Sequence, residues 1–225
     1  MESLTNESVP SLYPEPHVIK INGLSGKEAS FKFCPIHAGR FRMKSNEIEI
    51  DQDFYLGKYP VTQEQWMAIM GKNPSHFKGG RLPVETVSWD DVQTFIQKLN
   101  TLTGKKSYRL PTEPEWEYAC RAGSTSAYFF GDDRNQLGEY VWYKDNSGNT
   151  THPVGQKKPN EWGLHDMAGN VWEWTENWYD RSFSGRVIRG GCWFSYIGFC
   201  RSDYRYRYDP SFRHYYFGFR LAFVP

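Results

Sequence analysis

No stretch of this 225-residue chain is apolar for long enough to span a bilayer, so direct membrane insertion is not expected. Neither sign of charge is in excess. Against 27 Lys and Arg stand 26 Asp and Glu, a formal net charge of +1, which argues against global steering toward nucleic acid. Cysteine is sparse. Cys34, Cys120, Cys192 and Cys200 fit no zinc ribbon, finger or CxxC spacing, so they read as buried thiols, with a Cys192–Cys200 bridge left open. The six histidines are scattered and have no metal-ligand spacing. The opening, MESLTNESVPSLYPEP, lacks the basic start and apolar core of a secretory leader. The expected location is therefore the cell surface if a leader lies outside this chain, and the cytoplasm otherwise. Residues 1–16 are polar and Pro-rich and read as a loose arm, followed by a single domain over 17–225 with no linker or fixed-period repeat.

Aromatic residues are plentiful: 17% of the chain, with nine Trp, which favours an irregular fold with aromatic-lined surfaces. HVIKINGL and ASFKFCPIHAGRFRM alternate apolar and polar residues and read as strands. Three helix starts follow. Thr62 with Gln65 makes a capping box before Trp66, Ile69 and Met70, and Gly71 ends that helix. Ser88 caps the second, with Asp91 in its first turn and Val92, Phe95, Ile96 and Leu99 on its core face. Thr112 with Glu115 caps the third; Trp116, Ala119 and Cys120 face inward and Gly123 is expected to stop it. From residue 124 helical periodicity disappears, and long loops with short strands are expected.

YPVTQEQW, LPVETVSWDDVQTF, YRLPTEPEWEYACRAG, HPVGQKKPNEWGLHDMAGNVWEW, RVIRGGCW and GFR occur in that order. Together, from about residue 30 to the end, they resemble the formylglycine-generating-enzyme-like (sulfatase-modifying-factor) family. The resemblance implies a C-type-lectin-like α+β fold, loop-rich with few regular elements. The family includes copper oxidases that convert a substrate cysteine to formylglycine, sulfoxide synthases and non-catalytic binding modules, so the site must decide between them.

The oxidases hold Cu(I) with two cysteines five residues apart, and soft thiolates suit that ion. Mapped onto RGGCWFSYIGFC, the second position is Cys200 and the first is Ser195, a poor Cu(I) ligand. No copper and no catalysis are expected. Iron-dependent synthases take ligands from an extra helical domain that this chain has no room for. The resemblance also implies structural Ca²⁺ at HDMAGNVWEW, with Asp166 and Glu173 as side-chain ligands and Gly169 and Val171 through their carbonyls. The residue-level alternative is a turn in which the two carboxylates cap backbone N–H groups. A second calcium site near WYKDNSGN matches too loosely for ligands to be named.

Residues 194–219 contain no Lys, Glu, Gln, Met or Trp, though each occurs elsewhere. Those five share codons that end in a purine. Every residue present can be written with a codon ending in a pyrimidine, the product of mutating the adenines of AAC or AAT. Diversity-generating retroelements leave this signature at the 3′ end of a gene, and their variable proteins have C-type-lectin-like folds. The expected variable ligand-binding region is 193–217. Its contacts are Phe194, Ser195, Tyr196, Phe199, Tyr204, Tyr206, Tyr208, Asp209, Phe212, His214, Tyr215 and Tyr216. Tyr and Phe offer large contact area with few rotors to freeze, while Ser, Asp and His add adaptable polar contacts. Trp193, Arg201, Arg205, Arg213, Gly218 and Arg220 form a supporting frame, the arginines bonding loop carbonyls. The expected function is non-catalytic display of a diversified face to varied protein ligands by a monomer; the alternative is a copper oxidoreductase. Two other readings exist for the segment. YRYRY can be a strand that fills the core, and aromatics interleaved with arginines can meet nucleic acid, which Asp203 and Asp209 argue against.

Overall fold

The computed structural model describes residues 15–224 apart from 24, 25, 27 and 106, so residues 1–14 of the expected arm lie outside the described residues. The alternating segments near the start form β1 (His17–Asn22) and β2 (Glu28–Ile36), paired antiparallel with His17 opposite Phe33. A hairpin of β3 (Gly39–Met43) and β4 (Asn46–Ile50) stands apart, and β5 (Phe54–Gly57) returns to pair with β2.

Helix α1 (Gln63–Met70) has the expected capping box. The Thr62 N–H donates to Gln65 Oε1 (2.8 Å), and Gly71 closes the helix at φ 79°. Helix α2 (Trp89–Thr103) is capped by Ser88 and Asp91, and Val92, Phe95, Ile96 and Leu99 are buried. Helix α3 (Glu113–Arg121) is capped by Thr112 and Glu115, but Ala122, at φ 45°, makes the left-handed turn one residue before the expected Gly123. Each cap satisfies N–H groups that the helix leaves unpaired. The loop-rich stretch after α3 contains a 3₁₀ turn at 134–136 and the four-residue helix α4 (Leu137–Tyr140). One turn is too short to show a helical period in sequence.

The remaining strands are β6 (Tyr108–Arg109), β7 (Trp172–Trp178), β8 (Arg186–Arg189), β9 (Arg205–Tyr208), β10 (Phe217–Gly218) and β11 (Ala222–Phe223). One sheet runs β1-β2-β5-β11-β6 and another β10-β7-β8-β9, with β10 parallel to β7. Residues from both sheets and from α1 and α2 share a core that includes Phe33, Trp66, Phe95, Trp174, Ile188 and Phe219. Trp66 stacks on Phe95 at 5.1 Å, and Phe33 meets Phe223 edge-on at 4.8 Å. A second cluster joins Trp116, Ala119 and Cys120 of α3 to Leu56, Met167 and Cys200. No helix among the described residues is long and apolar enough to cross a membrane.

Candidate ligand-binding site

The segment between β8 and β10 leaves the sheet through Gly190 (φ 93°) and Gly191 (φ 77°). A Cβ on Gly191 would lie 2.8 Å from Cys200 Sγ, so the backbone approach there requires glycine. A tight turn follows. The Ser195 N–H donates to the Cys192 carbonyl, and the Cys192 N–H donates to Ser195 Oγ, both at 2.9 Å. After a 3₁₀ turn at Ile197–Cys200 the chain enters β9.

Arginines hold this segment. The fully buried Arg189 donates to the carbonyls of Ser202 (2.9 Å), Asp203 (3.0 Å) and Tyr204 (2.7 Å), and pairs with the buried Glu117. Arg205 pairs with Glu113 (2.6 Å) at the start of α3, and Arg213 pairs with Asp91 (2.6 Å) at the start of α2. Arg201 pairs locally with Asp203 at 2.9 Å. Arg205 and Arg220 bond loop carbonyls as expected of the frame, at Tyr179 (3.1 Å) and at Gly57 and His165 (both 2.9 Å), and each also bonds a carboxylate. Trp193 and Gly218 are buried, Trp193 donating its indole N–H to the Tyr215 carbonyl (3.3 Å).

The YRYRY run is a strand with two unlike faces. Arg205 and Arg207 lie over the Tyr179 ring at 4.1 and 4.6 Å. Tyr204, Tyr206 and Tyr208 point to the opposite side and line a pocket of about 530 Å³. All the expected contacts except Asp209 and Phe212 line that pocket. Phe212 stacks on Tyr208 at 5.1 Å, and Asp209 is exposed, its carboxylate bonded within its own turn to Ser211 (2.6 Å). Phe194, Tyr196, Tyr206 and Tyr215 are 51%, 61%, 49% and 39% exposed, whereas Ser195 is buried. Large exposed rings round a concavity are unlike core packing. No carboxylate, amide or cationic side chain lines the pocket. Burial holds His214 below the usual imidazole range, and burial with a hydrogen bond to Tyr208 raises the Tyr216 phenol.

Sequence reasoning did not single out the floor, formed by Trp172 of β7, Ile188 of β8 and Cys192. Only the pairing of β7, β8 and β9, distant in sequence, brings these residues under the tyrosines. It also missed Lys144, whose ammonium donates to the Tyr196 hydroxyl (2.7 Å) and sits 4.0 Å from that ring's centre.

All four cysteines are free and buried. Cys192 Sγ lies 3.3 Å from Ser195 Oγ, and burial raises both the Cys192 and Cys200 thiols, away from the thiolate that binds metal. This Ser–Cys arrangement does not fit a two-thiolate copper site.

Both oxygens of Glu173 are taken: Oε2 accepts from Trp116 Nε1 and Arg220 Nε, and Oε1 from Arg220 Nη2, each at 2.7 Å. Arg220 is fully buried and also donates to the carbonyls of Gly57 and His165, both at 2.9 Å. Asp166 turns at φ 55° and accepts the Gly155 N–H (2.7 Å). The Gly169 N–H donates to the Gly190 carbonyl (2.8 Å), and Val171 is buried in the core. Glu173 is therefore already paired with a buried guanidinium, which offsets its charge without a metal ion. Among the described residues no three His, Cys, Asp or Glu side chains group as a metal set.

The sulfatase-modifying factor enzyme 1-like domain family matches residues 26–224. The chain is 35% identical over 212 residues to the chaperone protein LppX of Paenibacillus barcinonensis, covering 71% of this chain and 76% of that one. It is 33% identical over 174 residues to the formylglycine-generating enzyme of Mus musculus, covering 66% of this chain but only 44% of the mouse protein. In three dimensions it superposes on Treponema denticola variable protein 1 with a TM-score of 0.86 at 29% identity, covering 94% of this chain and all of that one. Capped helices, paired sheets and a loop-borne aromatic face thus follow a known α+β, C-type-lectin-like plan, and the chain belongs to the sulfatase-modifying factor enzyme 1-like family.

Proposed function

We propose that this chain is a non-catalytic ligand-binding protein, acting as a monomer, whose C-terminal face is diversified by a retroelement and meets varied protein targets. One observation carries the reading: residues scattered over 194–216 converge on one aromatic pocket, while between them Cys200 and Ser202 are buried and Arg205 and Arg213 are pinned by ion pairs. Exposed tyrosines and phenylalanines suit contact with many partners, as in antibody paratopes. The likeness to Treponema denticola variable protein 1 supports the same reading.

The test is to sequence the locus. Codons at the contact positions should align with AAC or AAT in a near-repeat beside a reverse-transcriptase gene. A locus with no such repeat sinks the diversification.

A copper oxidoreductase is the second reading, favoured by the match to the mouse formylglycine-generating enzyme. Against it stand the Ser195 hydroxyl where the family resemblance calls for a thiolate, and a Cys192 sulfur already engaged by that hydroxyl. Anaerobic Cu(I) titration followed by O₂ and a thiol-containing peptide should show neither tight binding nor turnover. Both together would overturn the binding-protein reading.

A further inference from the structure

Strand β9 is the outermost strand of its sheet. Among the described residues, the backbone of Arg205–Tyr208 pairs only with β8, and no side chain caps its other edge. That edge runs beside the pocket, because Tyr206 is opposite Ile188 and both line it. A row of unpaired N–H and C=O groups next to an aromatic hollow is the geometry by which sheets accept an added strand.

We infer that the partner's contact segment is extended, pairs with the free edge of β9 and drops an uncharged side chain into the aromatic pocket. The inference rests on the ligand-binding reading above and names the form of the ligand. In an added strand every second side chain lies on the face that carries Tyr206, so the residue beside Tyr206 projects over the pocket. The pocket lining has no carboxylate, amide or cationic side chain and is mostly rings, so an apolar or aromatic anchor is matched there without desolvating a charge. A glycan would find no carboxylate or amide to bond its hydroxyls in pairs. A second copy is disfavoured because antiparallel self-pairing of β9 sets the arginine faces of two chains side by side.

The arrangement also answers a difficulty of diversified faces. Main-chain hydrogen bonds survive any change of side chain. The β9 edge can therefore supply affinity common to all variants, while the residues at 204, 206 and 208 set which side chain is preferred.

The experiment selects linear twelve-residue peptides from a random displayed library on the full chain. Each selected peptide is then N-methylated position by position. In parallel, Tyr206→Pro and Arg207→Pro are made. Proline is tolerated on an edge strand where its missing N–H faces outward, so the variant that keeps the parent's thermal unfolding marks the outward position. Edge pairing predicts at least tenfold weaker binding at alternate N-methylated positions, and the same loss in the folded proline variant, measured relative to Tyr206→Ala where that variant is Tyr206→Pro. A flat N-methyl scan, with binding still lost in Tyr206→Ala or Tyr215→Ala, would overturn edge pairing but leave the ligand-binding face standing. Peptides indifferent to both alanine variants would overturn both. Selection of no linear peptide would also overturn edge pairing, and the ligand-binding reading would then stand or fall on the locus.

Discussion

His165 and Asp166 are chain neighbours whose burial acts in opposite directions. Burial lifts the Asp166 carboxyl to about 6, and burial lowers the His165 imidazole to about 4. An unfolded Asp titrates near ~3.9 and an unfolded His near ~6.5. The Asp166 contribution is therefore fully present at low pH and is lost as pH rises from ~3.9 to about 6. The His165 contribution is present above ~6.5 and is lost as pH falls toward about 4. The two slopes oppose each other over nearly the same window. Asp166→Asn, which tolerates the left-handed backbone, should leave a urea midpoint that rises with pH between about 4 and 6.5. His165→Gln should leave one that falls over about 4 to 6. Parallel pH profiles for the two variants would refute the opposition. At this scale the sequence was a good guide to exposed rings, because Tyr and Phe crowded between polar residues declare themselves by type. It did not reveal the partner of Glu173. The residue types of Asp166 and Glu173 suit calcium, and only the folded position of Arg220, 47 residues beyond Glu173, shows that Glu173 is already paired.

Elements explain how the loop segment stays in place. Arg213 grips Asp91, which also accepts the Ser88 N–H at the start of α2, and Arg205 grips Glu113 in the first turn of α3. Acidic residues are already favourable at helix N-termini, so the arginines find fixed carboxylates at rigid ends. The three helix starts could be read directly, since a capping box spans four residues and needs no tertiary information. The strands β6, β10 and β11 could not, since each is two residues long and owes its existence to partners far away in sequence. Arg213 is half-exposed, so its ion pair should contribute little to global stability. Arg213→Gln is expected to change unfolding free energy by less than ~1 kcal/mol. The same variant should speed hydrogen exchange at the Thr86 and Phe217 amides, both of which donate to the His214 carbonyl. Unchanged exchange there would mean that packing of Tyr208 and Phe217, not the ion pair, orders the segment.

Across the whole molecule, the segment proposed to vary is held at both ends. It begins after β8 and ends at β10, and the chain then runs on into β11, which lies between β5 and β6 in the other sheet. A loop tied at both ends to a packed core can change its surface without changing the fold. Stability should therefore depend on which positions change, not on how many. A library randomised at Phe194, Tyr196, Phe199, Tyr206, Phe212 and Tyr215, all exposed, should consist mostly of protease-resistant members. A library of equal size at Arg189, Trp193, Ser202, Phe217, Phe219 and Arg220, all buried, should lose most of its members to proteolysis. The cause is specific in each case. Losing Arg189 leaves three carbonyls and the buried Glu117 short of a donor, and losing Arg220 strands Glu173, at about 3–5 kcal/mol for a buried pair broken on one side. Display of both libraries under graded protease separates the outcomes. Equal survival would mean that the aromatic face is part of the core, and that its exposed rings are structural.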